Sequence, residues 1–330
     1  ARRLLAAVDQ RRVSNLSGAL SAYIAKNLPR NVRTKSSLAD YRTSPYVLMA
    51  SASVMGLIGL DELAKFLIDT KLYTSMETSF GKQIEAAFVG FYPIGARDGH
   101  GWQEPREKIA EAAALKGLSR EEKAAKRVDS VWREVDTSCV VGPRRYFLTI
   151  KSGPQCINDT QVAAMKDAIR QHHATWLAET RRNYKGVSGL DVVIGLTYGT
   201  PATTNNKENQ ILVKLRGDGF VEEDRRRNPG VLIDTATRSV RVYRAVGIDF
   251  WAVIGDPVHP ERARHTFLEA LLALSKAMSR GPARKIVLDE VQKKGVELGK
   301  AIEQIARAFP QALLPLWARK ELSADELVWL

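Results

Sequence analysis

The chain has 330 residues, 45% hydrophobic and 26% charged, which is enough to bury a sizeable core as one large domain or a catalytic domain with helical additions. Fifty Lys and Arg against 37 Asp and Glu leave a net charge of +13 and a pI near 9.7, a field suited to a polyanion such as nucleic acid or to an anionic membrane surface. No apolar run approaches the roughly 20 residues of a membrane span, and the opening segment to Asp9 is too short and too soon charged for a secretory signal.

In chain order, residues 1–75 read as a helical N-terminal region. Ser14 to Asn27 carries apolar residues at helical spacing, Ser44 and Pro45 can open a helix running to Val54, and Leu60 to Leu72 is amphipathic. Met76 to Phe88 reads as a loop entering another helix, with Glu85 on its first or second turn. Residues 93–106 are rich in Gly, Pro and charge and read as a loop, and Glu107 to Lys126 as one solvated helix. The pattern then predicts a hairpin over 135–151 and an N-cap at Asn158 to Thr160 before a long amphipathic helix to about Arg182. Leu190 to Gly199 reads as a buried strand ending in a glycine turn, 201–209 as a polar loop, and Ile211–Leu215 and Val240–Tyr243 as shorter strands. From Pro260 the chain is again mostly helical, punctuated by Pro282, Pro310 and Pro315. The boundaries that follow are a helical region at 1–75, a core at 76–259 and a helical extension at 260–330. The expected fold class is α/β, a mixed sheet flanked by helices.

The chemistry gathers on the hairpin. Asp136 enters its first strand and Lys151 leaves its second, 15 residues later, so the two can converge at one end of the sheet. A carboxylate and an ammonium placed this way can hold a divalent metal beside a polarised water, the equipment of a metal-dependent phosphodiesterase. Mg²⁺ takes oxygen ligands and keeps several waters, so one or two carboxylates and a substrate phosphate suffice. The plain alternative places Asp136 in a turn and Lys151 at a strand end.

The run around this pair resembles the PD-(D/E)xK nucleases, and within them the type II restriction endonucleases typified by the enzyme that cuts RGGNCCY. The resemblance rests on Glu134, Val135 and Asp136 before the hairpin, and on Leu148 to Gly153 closing it. Upstream it includes Ser44 to Tyr46, the Leu60 to Leu63 helix and Thr78 to Glu85. Downstream it covers Asp191 to Gly199, Leu215 to Gly217, Val240 to Tyr243 and Asp249 to Trp251, in collinear order over roughly 44–255. It implies a restriction-endonuclease-like fold and a Mg²⁺-dependent homodimer, its helical N-terminal region serving dimerisation. Such a dimer cleaves both strands of a short, near-palindromic site in double-stranded DNA. It implies Asp136 as metal ligand and Lys151 as catalytic lysine. Thr149 stands where most of the superfamily has an acid, two places before the lysine, so its contribution would run through a bound water or its backbone carbonyl. Glu85 is the candidate for the missing catalytic and metal-binding carboxylate, with Glu77 a weaker substitute. Asp129 is an alternative to Asp136 as ligand, and Glu134 reads as a strand-edge residue.

Candidate DNA contacts follow. Ser152, Gln155 and Asn158 come directly after the lysine, where small polar groups and helix N-terminal amides favour a phosphate; capping is the other reading of Asn158. Arg225 and Arg226 lie with Arg227 in a basic loop after Arg216, and arginine serves both guanine and phosphate contacts. A loop paired with its own acids is the alternative. Lys82 is a further candidate, or a surface helix residue. His172 and His173 lack the helically spaced carboxylate of a zinc helix, and Trp132, Trp176 and Trp251 read as core anchors. Cys139 and Cys156 have no CxxC partner, fit a reducing cytoplasm, and both read as small core residues. The expected activity is that of a type II site-specific deoxyribonuclease in a restriction–modification system, its site built on a GGNCC core. The rivals are a less specific repair or recombination nuclease, and a DNA-binding protein with an inactive nuclease core.

Overall fold

The computed structural model describes residues 2–33, 54, 62, 64–70, 96, 101–128, 130–151, 153, 156–279, 285, 286, 289–297 and 300. The chain forms two compact units. One joins Ala1–Leu16 to Phe80–Leu274, and the other joins Ser17–Ser79 to Ser275–Leu330. Among the described residues no helix is long and apolar enough to cross a membrane.

Helix α1 spans Arg2–Ala6 and α2 spans Gln10–Arg33. The Asp9 carboxylate caps α2 by accepting the backbone N–H groups of Arg11 and Arg12. Val13, Leu16, Leu20 and Ile24 are buried at helical spacing, as the periodicity predicts. The expected helix at Leu60–Leu72 is seen over the described residues 64–70, where Ala64, Leu67 and Ile68 are buried. Residues 289–297 are also helical, and Ile68 Cδ1 lies 3.9 Å from the position a Cβ on Gly295 would take.

The expected single helix at 107–126 is two: α3, Arg106–Ala114, and α4, Arg120–Val128. Gly117 at φ +98° breaks the run, and Ser119 and Glu122 exchange hydrogen bonds that start α4 afresh. Strands β1, Thr137–Val141, and β2, Arg144–Lys151, form the expected hairpin. Gly142 at φ +56° and Pro143 make its two-residue turn. Helix α5, Asp159–Asn183, follows with Asn158 as N-cap, and then the wholly buried β3, Gly189–Leu196.

Helix α6, Lys207–Leu215, corrects two expectations, a polar loop reaching 209 and a strand at Ile211–Leu215. Glu208, Ile211, Leu212 and Leu215 are its buried residues, a helical spacing that a five-residue window cannot distinguish from a strand. Two short strands, β4, Phe220–Glu222, and β5, Leu232–Asp234, lead to β6, Val240–Val246. Helix α7, Ile248–Gly255, a 3₁₀ turn at Pro260–Arg262 and α8, Thr266–Ser279, follow.

The protein is therefore a mixed α/β structure, with a six-stranded sheet in the order β1-β2-β3-β6-β5-β4. Strands β2, β3 and β6 run parallel, while β1 pairs with β2, β5 with β6 and β4 with β5 antiparallel. One core joins Phe147, Val192, Ile194 and Val242 of the sheet to Val162, Met165, Ile169 and Trp176 of α5 and to Ile211 and Leu215 of α6. Trp132, Phe147 and Trp176 meet with ring centroids 5.7–6.5 Å apart. Such aromatic pairs add about 0.5–1.5 kcal/mol each beyond burial. On the other side, Phe250 of α7 lies so close that a Cβ on Gly195 would come within 2.7 Å of its ring. Trp251 Nε1 donates to the Thr197 carbonyl at 2.9 Å. Trp132, Trp176 and Trp251 are core anchors, and Cys139 is buried. Cys156 is exposed, contrary to expectation, because it lies in the connection leaving β2 rather than on a packed strand.

Candidate active site at the carboxyl end of the sheet

The hairpin turn sets the register Thr137 with Leu148, so Asp136, one step further, lies across from Thr149 and beside the end of β2. The Asp136 N–H donates to the Leu148 carbonyl at 3.0 Å, and its carboxylate Oδ2 accepts the Ile150 N–H at 2.6 Å. Lys151 is the last residue of β2, half-buried, its carbonyl accepting the Thr197 N–H at 3.0 Å. Burial pushes the Asp136 carboxyl above the usual carboxylate range, while the Lys151 ammonium, the Ile150 N–H and the Lys108 ammonium all oppose that rise.

Lys108 was not legible in the sequence. It sits on α3 and donates from Nζ to the Val135 carbonyl at 2.8 Å, which places a second cation behind Asp136. On the same helix, Glu107 is no solvated residue: both its oxygens accept from Arg145, which is fully buried and also lies over the Phe147 ring.

Thr149 is buried, its hydroxyl 3.5 Å from the Val193 carbonyl and 3.9 Å from Met165 Sδ. Its backbone carbonyl lies 2.8 Å from where a Cβ on Gly195 of β3 would stand. The hydroxyl is thus engaged inside the fold, and the carbonyl packs against Gly195. Glu134 pairs with Arg133 at 3.5 Å. Glu85, Glu77, Lys82, Asp129, Ser152 and Gln155 lie outside the described residues.

Asn158 forms a reciprocal capping box with Gln161, so its side chain supports the start of α5. Lys207 of α6 reaches Asp159 at 2.5 Å, which ties the starts of α5 and α6 together. In the parallel strands Lys151, Leu196 and Val246 lie side by side. Because Leu232 pairs with Val242 and β5 runs antiparallel, the 223–231 connection leaves from this same end of the sheet. Arg225 and Arg226 are exposed on it. The acids of this loop are engaged elsewhere: Glu222 with Arg216 at 3.6 Å, Glu223 with Arg241 at 2.7 Å and Asp224 with Arg227 at 3.6 Å. Among the described residues no acid pairs with the side chain of Arg225 or Arg226. Arg216 starts from the opposite end of β4, where its backbone bridges Phe220, and its guanidinium reaches back to Glu222 at the start of this loop.

A second charged cluster occupies the other end of the sheet. Arg144 donates from Nε and Nη2 to Asp191 Oδ1 at 2.8 and 2.5 Å, and from Nη2 to the Leu190 and Ser239 carbonyls. Burial raises the Asp191 carboxyl against the pull of Arg144, and burial with the Asp191 charge raises the Tyr146 and Tyr243 phenols. His173 Nδ1 lies 3.0 Å from the Ile169 carbonyl with its ring against Phe220, and burial lowers the His172 pKa. Both have the core-edge surroundings expected of them.

Among the described residues no group of three or more His, Cys, Asp or Glu converges to hold a metal. The chemistry of Asp136 nonetheless fits one ligand of a hard cation: a hard oxygen donor held in place by a backbone N–H and destabilised by burial, a state that added positive charge relieves. Thr149, with its hydroxyl turned into the core, does not fit as the second. No protein-family model and no curated protein matches this chain.

Proposed function

We propose that this chain is a Mg²⁺-dependent, site-specific endodeoxyribonuclease with a restriction-endonuclease-like fold. It acts as a homodimer on a short, near-palindromic DNA site, in the manner of the type II restriction enzymes it resembles. One observation carries the reading: the Asp136 carboxylate is fixed on the Ile150 N–H immediately before Lys151, at the carboxyl end of the parallel strands. Ligand sites on open α/β sheets collect at such ends. The exposed Arg225 and Arg226 rise from that end, and the net charge of +13 favours a polyanion.

Asp136 and Glu85 would hold the Mg²⁺, which when bound supplies charge neutralisation at the phosphate. Lys151 orients the attacking water and steadies the negative charge that builds on the phosphoryl oxygens. Water adds to phosphorus, one ester P–O bond breaks, and the proton lost by the water ends on the departing alkoxide. Two copies related by a twofold axis match a twofold site and give one cut per strand.

A second reading, a DNA-binding protein that does not cut, is favoured by the burial of Thr149 where a carboxylate is usual. Incubation of plasmid DNA with the protein, in Mg²⁺ and in EDTA, separates the readings. Discrete Mg²⁺-dependent fragments support the site-specific nuclease, and a smear supports a repair-type enzyme. A gel shift without cleavage supports the disarmed binder.

A further inference from the structure

Strand β6 carries Arg244 level with Ile194 of β3 and Thr149 of β2. Residues in one such row point to the same face of a sheet. Ile194 belongs to the core shared with α5, and the Thr149 hydroxyl turns to Met165 of that helix, so Arg244 faces the side covered by α5 and α6. Its partner there is Glu208 of α6, which is fully buried. Arg244 Nη1 donates to Glu208 Oε1 at 2.7 Å, and the Thr204 hydroxyl donates to the same oxygen at 2.9 Å. Among the described residues nothing bonds the other oxygen, Oε2.

The six strands carry four arginines, and three of these close on an acid with two nitrogens. Arg145 holds both oxygens of Glu107 through Nη1 and Nη2. Arg144 meets Asp191, and Arg241 meets Glu223, each through Nε and Nη2. Arg244 uses one nitrogen. Its Nε–Nη2 edge has no acceptor among the described residues, and 28% of its side chain is exposed. An arginine present only to neutralise Glu208 would close on both carboxylate oxygens, as Arg145 does on Glu107. The open edge also lies toward the end of the sheet that holds Lys151. Strand β5 pairs with β6 at Arg241 and Val242, and beyond that pairing runs the 223–231 connection with Arg225 and Arg226. Two residues after Arg244, Val246 stands level with Lys151.

We infer that Arg244 grips a backbone phosphate of bound DNA with its Nε–Nη2 edge, and that Glu208 is the positioning residue that holds the guanidinium from behind. A planar edge of two N–H groups matches two phosphate oxygens as it matches a carboxylate. The inference rests on the nuclease reading above and names a contact within it. Neighbouring strands are about 4.8 Å apart, so Arg244, three strands from Asp136 along the row through Thr149, stands about 14 Å from it. The contact is therefore to a flanking phosphate rather than to the scissile one. The rival is structural, a pair that only fastens α6 to β6.

The test uses the full-length protein and linear plasmid DNA, with binding titrated over a KCl series in EDTA and cleavage followed in Mg²⁺. Arg244→Met combined with Glu208→Gln removes both charges together, so no unpaired ion stays buried and the net charge is unchanged. The double variant should bind about ten- to hundredfold more weakly, the range for charge-assisted hydrogen bonds, with a salt slope smaller by about one phosphate contact. In Mg²⁺ the loss should fall on KM rather than kcat. Arg244→Lys keeps a cation for Glu208 but lacks the second edge, and should melt like the parent while binding about three- to tenfold more weakly. Glu208→Gln adds net positive charge, which by itself tightens DNA binding, yet it should raise KM because the arginine loses its anchor. Parental affinity and salt slope in the double variant and in Arg244→Lys, from a parent that binds DNA, would overturn the contact. Lower melting temperatures at unchanged affinity per folded molecule would also overturn it, in favour of the structural role. A lower KM in Glu208→Gln would overturn the positioning by Glu208. A parent that does not bind DNA would remove the nuclease reading itself, and this contact with it.

Discussion

The two ends of the sheet carry the same ingredients and use them differently. At one end Asp191 is met by Arg144, whose guanidinium also reaches the Leu190 and Ser239 carbonyls, so the Nε and Nη2 donors of the cation are taken up by the protein. At the other, Asp136 is held by one backbone N–H with Lys151 and Lys108 nearby, and burial raises its carboxyl as it raises that of Asp191, so the ends differ in the partners of the acid and not in the direction of its pKa. A planar guanidinium with fixed donors suits a closed structural pair, whereas the single ammonium of lysine keeps capacity for a substrate. An acid and a base on adjacent strands therefore do not mark a site by themselves. What distinguishes the two is that, among the described residues, Asp136 has no guanidinium closing on it and lies at the carboxyl end of the parallel strands, where ligand sites on open α/β sheets collect.

The sharpest way to test that contrast is to remove one cation from each end. Lys151→Ala should lower the cleavage rate by about two to three orders of magnitude, the range for deleting one electrostatic donor in an active site. Thermal melts should show little change. Arg144→Ala should leave Asp191 buried and unpaired and destabilise the fold by about 3–5 kcal/mol. In a domain of this size each 1 kcal/mol moves Tm by about 2–4 °C, so calorimetry resolves the loss easily. An Arg144→Ala protein as stable as the parent would show that the pair is not structural.

Asp136 sharpens the comparison through pH. Its folded pKa is raised above its unfolded value, so the ionised carboxylate burdens the fold at every pH above the folded pKa. The burden shrinks as pH falls through that value and is gone below the ordinary carboxylate range. Asp136→Asn, which can still accept the Ile150 N–H, should therefore melt higher than the parent at neutral pH, and the gap should close in acid. It should also fail to cut DNA. A mutant that melts lower than the parent at neutral pH would contradict the raised pKa.

The smallest expected effect is at the basic loop. Arg225→Ala and Arg226→Ala should each reduce the salt dependence of DNA binding by about one phosphate contact and leave the stability of the fold unchanged. Identical salt slopes in parent and mutants would place that loop away from DNA.

Much of this was legible in the residues. Gly142 and Pro143 between apolar alternations announce the hairpin, and that hairpin alone brings Asp136 to Lys151. The Asn158 cap and the buried β3 strand were equally plain, since each has a local chemical signature. What failed was short and context-dependent. Four apolar residues among the five at 211–215 fit either period, and β4 and β5 are three residues each, held by their neighbours rather than by propensity. Lys108 escaped because a lysine on a charged helix is common; its place behind Asp136 comes from a contact far away in the chain, the Val135 carbonyl. Thr149 stood out as a departure in the sequence, but only packing shows its hydroxyl turned toward Met165.

The most direct test of the account is plasmid cleavage in Mg²⁺ by Lys151→Ala and Arg144→Ala side by side, each normalised to the folded fraction at a temperature where both remain folded. The account predicts discrete fragments from the parent and from Arg144→Ala, and intact DNA with Lys151→Ala. Cutting by Lys151→Ala at the parental rate would contradict it.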